Sequence, residues 1–206
     1  MKVAISFLKS KYSLEETLNI IETTDAEYVH VDVMDGKFVP NSTEDFIYSL
    51  KNVNKTLDVH LMVENPIDYI IKYKELKPEY ITIHSEINYN IEDLIDLIKS
   101  YNIKVGVSIK PKTSVKSIEK ILPYIDNVLI MSVEPGFGGQ KFMDDVLFKI
   151  EVLNKLRKEN NYNYVISIDG GINDTNIDKV RDVDFVISGS FICMSDNYQE
   201  QINKLR

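Results

Sequence analysis

Eight short apolar, β-branched runs recur along the chain, and their even spacing restricts the fold more than any other feature. They are KVAISF (2–7), EYVHVDV (27–33), LDVHLMV (57–63), EYITIHS (79–85), IKVGVSI (103–109), NVLIMSV (127–133), YVISID (164–169) and DFVISGS (184–190). Each reads as a buried strand. Segments with helical spacing lie between them. Ser13, with Glu16 three residues on, makes a capping-box pattern ahead of Leu14, Leu18 and Ile21. Asn90 offers a cap ahead of Ile91, Leu94, Ile95 and Ile98, and Val146, Ile150 and Leu153 repeat the stripe after Asp144. Strand and helix thus alternate eight times in units of about 25 residues, which predicts a parallel sheet covered by helices. Eight units can close an α/β chain into a single (β/α)8 TIM barrel, here one domain over residues 1–206. A doubly wound open sheet usually has a Gly-rich turn after its first strand, whereas SFLKSKYS holds no glycine.

Several of these strands carry polar residues at alternate positions. Side chains of a strand alternate between its faces, so His30, Asp32 and Met34 share one face and Val31 and Val33 the other. Asp58, His60 and Met62 repeat the device against Val59 and Leu61, and Asp169 stands at the tip of strand seven. The valines suit the layer facing the helices, so the polar set points into the barrel near its C-terminal mouth, where barrels of this kind place their chemistry. Two His and two Asp converging there give a mixed N and O donor set suited to one divalent metal ion, with Zn, Fe, Mn and Co all compatible. Asp32 and Asp169 also form an acid/base pair able to move a proton between the two faces of a carbon next to a ketone. Taken singly, each residue has a plainer reading: a strand His is more often a satisfied core residue than a ligand. Asp58 reads as a structural hydrogen-bonding group lower in the barrel, and Asp35, before Gly36, as a turn former. His84 is open between a place near substrate and a core role.

Six of the eight glycines fall in three loops: Gly136, Gly138 and Gly139 after strand six, Gly170 and Gly171 after strand seven, and Gly189 at the end of strand eight. Glycine lets backbone N–H groups approach an anion closely, and the loops after strands seven and eight commonly build the phosphate site of such barrels. With Phe137 and Ser190 they form a candidate phosphate cradle.

Composition narrows the partners. The net charge is −8 with no Lys/Arg cluster, which argues against nucleic acid or an anionic membrane surface as the main partner. Cys193 is the one cysteine, so no intrachain disulfide can form, as suits a reducing cytosol. The run VAISFL is too short for a signal-peptide core, and no apolar segment approaches the roughly 20 residues of a membrane span. A cytoplasmic location is expected.

The segments HVDVMDGKFVPN, DVHLMV, MSVEPGFGGQKF, SIDGGI and VISGS resemble, in order, the signature segments of the ribulose-phosphate 3-epimerase family. The resemblance covers essentially the whole chain. It implies a barrel of the ribulose-phosphate-binding type that interconverts D-ribulose 5-phosphate and D-xylulose 5-phosphate in the pentose phosphate pathway. It implies His30, Asp32, His60 and Asp169 as ligands of a divalent metal, and Asp32 and Asp169 as the acid/base pair. Ser6, His60 and Asp169 are implied as substrate contacts, Met34, Met62 and Met131 as residues lining the site. Gly136, Phe137, Gly138, Gly139, Gly170, Gly171, Gly189 and Ser190 are implied as the phosphate loops, and a homo-oligomer as the assembly. A sister 3-epimerase acting on a six-carbon ketose phosphate such as D-allulose 6-phosphate is the alternative. EPGFGGQKF and DGGI favour the pentose, and Met34 stands where other phosphosugar barrels carry the Lys of a D-x-K arrangement. A phosphosugar-binding barrel without catalysis is a third reading, set against the presence of both Asp32 and Asp169. Two segments depart from the family: Lys11 occupies an acidic position after strand one, and STEDF (42–46) replaces a Gly-containing turn.

Overall fold

The structure is a computed structural model describing residues 1–206. Eight parallel strands, β1 (Lys2–Ser6), β2 (Tyr28–Met34), β3 (Thr56–Met62), β4 (Tyr80–His84), β5 (Lys104–Ile109), β6 (Asn127–Met131), β7 (Val165–Asp169) and β8 (Phe185–Ser188), pair in chain order and close, β8 against β1. Each expected run contains its observed strand to within a residue.

Helices α1 (Leu14–Glu22), α2 (Ile47–Leu50), α3 (Pro66–Tyr73), α4 (Ile91–Ser100), α5 (Leu147–Asn160), α6 (Ser190–Cys193) and α7 (Tyr198–Lys204) surround the barrel. Ser13 Oγ accepts from the N–H of Glu16, whose carboxylate accepts from the N–H of Ser13, so the expected capping box opens α1. Asn90 caps α4 through the N–H of Glu92. The expected regular helix after every strand is not met throughout. Only four residues of α2 follow β2. The connection after β5 is a 3₁₀ run, Val115–Tyr124, and that after β7 is Ile177–Val180. Pro123 lies inside the first run and supplies no N–H, so a continuing α-helical ladder is broken there. The apolar stripe survives: Val115, Ile118, Ile121 and Leu122 are buried and cover the barrel as a helix would.

Two cores follow from the strand alternation. Val31, Val33, Val59 and Leu61 join Leu18, Ile21, Ile70, Leu94 and Ile150 in the layer between barrel and helices. Burial of each such side chain contributes about 1.5–3 kcal/mol. Inside the barrel a smaller cluster holds Ala4, Tyr28, Tyr80, Leu129, Met131, Phe185 and Ile187; at its base Tyr80 stacks on Phe185, and Tyr28 meets Tyr80 edge-on and Phe185 at a tilt. Met34 and Met62 pack with Val39 above. Between base and mouth the interior is polar. Gly106 is required here, because a Cβ at that position would fall 2.1 Å from Thr82 Oγ1.

Candidate active site

The ladder between β2 and β3 sets the site. His30 lies beside Asp58, Asp32 beside His60, and Met34 beside Met62. On the other side Ser6 of β1 pairs with His30, and on the far wall Met131 pairs with Asp169. Strand residues in fixed register therefore bring His30, Asp32, His60 and Asp169 together, with one donor atom from each inside a 4.8 Å cluster.

Asp32 is the hub. Its Oδ1 lies 3.1 Å from His60 Nδ1 and 3.3 Å from His30 Nε2, while Oδ2 accepts from Ser6 Oγ at 2.7 Å. Asp169 Oδ2 closes the group at 4.0 Å from His30 Nε2. His30 and His60 are fully buried, Asp32 nearly so, and Asp169 keeps 16 % of its side chain exposed toward the mouth.

Asp58 has the structural role expected of it: Oδ2 lies 2.7 Å from His30 Nδ1, which leaves His30 Nε2 facing the cluster without a hydrogen bond. His84 does not face the cavity. Fully buried, it meets His60 Nε2 through its own Nε2 at 2.9 Å and Glu86 Oε2 through Nδ1 at 3.1 Å. Asp35 is the expected turn former, its carboxylate accepting from the N–H groups of Lys37, Phe38 and Glu64.

Protein groups alone split the titration of the cluster. Burial pushes Asp32 up, but His30 and His60 outweigh it and hold the carboxyl far below the usual range. Burial pushes His30 down, yet the charges of Asp32 and Asp58 hold it well above 6.5. Burial and the charge on Asp32 push Asp169 up to about 6. Burial drops His84 to about 4, against the pull of Glu86. Glu86 is held at about 2, because hydrogen bonds from His84, Thr113 and the Lys110 N–H overcome its own burial.

The residues fit a divalent ion. A buried imidazole nitrogen without a hydrogen bond faces a carboxylate, and two further donors stand alongside. Mixed imidazole and carboxylate donors suit a first-row divalent ion with bonds of about 2.0–2.2 Å.

Above this cluster opens a cavity. Ser6, Asp32, Met34, Met62, Met131 and Asp169 form its floor and walls, and Gly136, Phe137, Gly138, Gly139, Gly170, Gly171, Gly189 and Ser190 its rim on one side. His30 and His60 lie beneath and do not line it. The glycine turns are held from outside: Asn41 Nδ2 donates to the carbonyl of Gly136, and Gln140 Nε2 to those of Glu134 and Phe137. Ser132 Oγ sits 2.8 and 2.7 Å from the carbonyl oxygens of Asp169 and Gly170, within donating reach of either. Gly171, at φ +67°, has no room for a side chain, since a Cβ would fall 2.6 Å from the backbone N of Phe142. Backbone thus crowds that end of the cavity, a shape suited to an anion bound by peptide N–H groups.

Sequence reasoning did not single out Lys9, Ser132 or Glu86. Lys9 lines the cavity with its ammonium against Gly139; its position three residues past Ser6 was the available signal. Ser132 and Glu86 act through neighbours on other strands, which no local spacing reveals.

The model of the "Ribulose-phosphate 3 epimerase family" matches residues 2–193. A ribulose-phosphate 3-epimerase of Aquifex aeolicus is 41% identical, with 88% of this chain and 84% of that protein aligned. One from Helicobacter pylori is 40% identical over 100% of this chain and 97% of that protein. Among solved structures, 3-hexulose-6-phosphate synthase from Salmonella typhimurium superposes with a TM-score of 0.72 at 16% identity, covering 100% of this chain and 96% of that one. That likeness carries the fold alone.

Proposed function

Since the chain belongs to the ribulose-phosphate 3-epimerase family, we infer that it is an isomerase that inverts C3 of D-ribulose 5-phosphate to give D-xylulose 5-phosphate. The observation that carries the mechanism is the meeting of Asp32 and Asp169 on one cavity, from β2 and β7, with opposite displacements of their acidity. Two carboxyls of unequal acidity on one cavity suit a two-base epimerisation, in which one takes a proton while the other gives one.

One aspartate removes the C3 proton from one face of the bound sugar. The C3–H electrons form the C2–C3 double bond, and negative charge moves onto the C2 oxygen of the enediolate. The other aspartate, as the acid, delivers its proton to the opposite face of C3, and the two exchange roles when the reaction reverses. Ser6, by donating to Asp32 Oδ2, fixes that carboxylate's plane. Met34, Met62 and Met131 give the reacting carbons an apolar, polarisable wall that keeps bulk water away. His30, Asp32, His60 and Asp169 would hold one divalent ion, Zn, Fe, Mn or Co, which as a Lewis acid supplies stabilisation of the developing oxyanion charge. The loops at Gly136–Gly139, Gly170–Gly171 and Gly189–Ser190 would hold the phosphate, with Lys9 as a nearby cation.

The same reading takes the protein to be a cytoplasmic homo-oligomer; no helix of the structure is long and apolar enough to cross a membrane. The test is a coupled assay on D-ribulose 5-phosphate beside D-allulose 6-phosphate, with metal content measured on the same sample. Efficient formation of xylulose 5-phosphate is expected, lost on chelation and restored by a divalent ion. Turnover of the six-carbon sugar alone would overturn the substrate, and full activity in a verified metal-free sample would overturn the ligand set.

A further inference from the structure

The two histidines of the cluster are held by different devices. His30 leans directly on the Asp58 carboxylate. His60 leans on a second histidine, and beyond it lies a line of groups that the reaction itself does not use. His60 Nε2 meets His84 Nε2 at 2.9 Å, and His84 Nδ1 meets Glu86 Oε2 at 3.1 Å. Glu86 Oε1 accepts from the backbone N–H of Lys110 and from Thr113 Oγ1. The Lys110 turn is anchored from below by the buried Lys149, whose Nζ donates to the Lys110 carbonyl at 2.7 Å. Phe38 covers His84, ring centroids 4.8 Å apart.

Donor and acceptor roles along this line follow one from another. The carboxylate of Glu86 can only accept, so the proton between it and His84 sits on His84 Nδ1. The 2.9 Å contact between the two rings holds one proton, and an ion on the His60 Nδ1 lone pair would put that proton on His60, leaving His84 Nε2 bare to accept. The only partner facing it is His60 Nε2, which therefore carries a proton. His60 Nδ1 is the atom turned to Asp32 Oδ1 and to the cluster, and without an ion a proton on it would be donated to that carboxylate. We propose that Glu86, acting through His84, is a positioning residue that sets the tautomer of His60 so that Nδ1 is presented as a metal donor. The inference rests on the metal reading given above and goes beyond it by assigning a purpose to two residues outside the ligand set. Partners of this kind on a ligand histidine typically change metal affinity about 10–100-fold when altered.

Glu86→Gln isolates the effect, because the surroundings fix the amide. The Lys110 N–H and the Thr113 hydroxyl stand at the Oε1 position, and a backbone N–H can only donate, so the amide oxygen must occupy that side. The amide NH2 then faces His84 Nδ1 and donates. His84 must switch its proton to Nε2, His60 Nε2 must accept, and His60 Nδ1 takes a proton where the lone pair stood. One near-isosteric change thus inverts two tautomers.

The experiment measures Zn or Co(II) affinity by chelator competition for wild type, E86Q and His60→Ala, with kcat and KM at saturating metal. Long-range 1H–15N spectra of the metal-free protein report which nitrogen of His84 is protonated. Expected are His84 protonated at Nδ1 in wild type and at Nε2 in E86Q. E86Q should bind metal about 10–100-fold more weakly, with most of kcat recovered at high metal and an unchanged KM. Unchanged metal affinity in E86Q, with H60A impaired, would overturn the positioning role alone. Unchanged affinity in H60A as well would overturn the metal reading itself. Should E86Q not fold, the wild-type spectrum decides: His84 protonated at Nε2 overturns the proposal.

Discussion

Replacing Asp169 with Asn is expected to make the metal-free protein more stable and the loaded enzyme nearly inert, from one cause. Burial and the charge on Asp32 raise the Asp169 carboxyl from 3.8 to about 6. A carboxyl whose folded pKa lies above its unfolded value costs stability as pH rises. The cost is absent below about pH 4, grows up to about pH 6 and is constant beyond. Over about two pH units at roughly 1.4 kcal/mol each, it reaches about 3 kcal/mol. The amide keeps the shape and loses the charge, so D169N should escape that cost. For a chain of this size about 2–4 °C accompany each kcal/mol, so stripped D169N should melt roughly 6–12 °C above stripped wild type at pH 8, with the difference vanishing near pH 4. A divalent ion at about a hundred times its Kd adds about 2.7 kcal/mol to wild type by mass action, and much less to a variant lacking one ligand. The assay is thermal melting by circular dichroism at pH 4, 6 and 8, with and without ion, beside turnover, which should fall about 10²–10⁴-fold. A stripped D169N that melts no higher than wild type at pH 8, or that gains as much from the ion, would refute the reasoning.

Three further outcomes are expected. Asp32→Asn should lower kcat about 10²–10⁴-fold while phosphosugar binding, followed by calorimetry, persists; turnover within tenfold of wild type would remove Asp32 from the chemistry. Gly171→Ala forces a Cβ into the backbone of Gln140 and Phe142 at a positive φ, so KM should rise by about tenfold with a smaller change in kcat. Gly106→Ala drives a methyl into Thr82, which should cost about 1–3 kcal/mol and lower the melting temperature. The double variant with Thr82→Gly should recover most of that loss, and failure to recover it would show that the clash lies elsewhere.

The strands and the convergence of His30, Asp32, His60 and Asp169 were legible because strand alternation is a local signal: residues two apart must share a face. The capping box at Ser13 and the cap at Asn90 were legible for the same reason. The 3₁₀ connections were not, since burial of Val115, Ile118, Ile121 and Leu122 keeps a helical stripe whatever the backbone ladder does. His84 stayed open because its partners, His60 and Glu86, are decided by register and by a turn after the strand. Lys9 was hidden differently: it reaches the glycine loop across a gap of more than a hundred residues in sequence.

The two departures from the family pattern bear on binding more than on chemistry. Lys11 forms an ion pair with Asp196, tying the β1 loop to the segment between α6 and α7 rather than entering the cavity. In STEDF, Thr43 closes onto the end of β2: its N–H donates to the Met34 carbonyl and its hydroxyl accepts from the Met34 N–H. That second pairing does without a glycine what a tighter turn would otherwise do. Every donor of the metal cluster, by contrast, is a strand residue held in the ladder, His30, His60 and Asp169 paired on both sides and Asp32 on the β3 side. Strand register tolerates loop change because a slip would turn the whole inner face outward. The phosphate end has no such protection, being built from turns held by single side chains such as Asn41 and Gln140. Asn41→Ala, which frees the Gly136 carbonyl, should therefore raise KM and leave both kcat and metal affinity near wild type. A fall in metal affinity from that substitution would mean that the loops, and not the ladder, hold the cluster together.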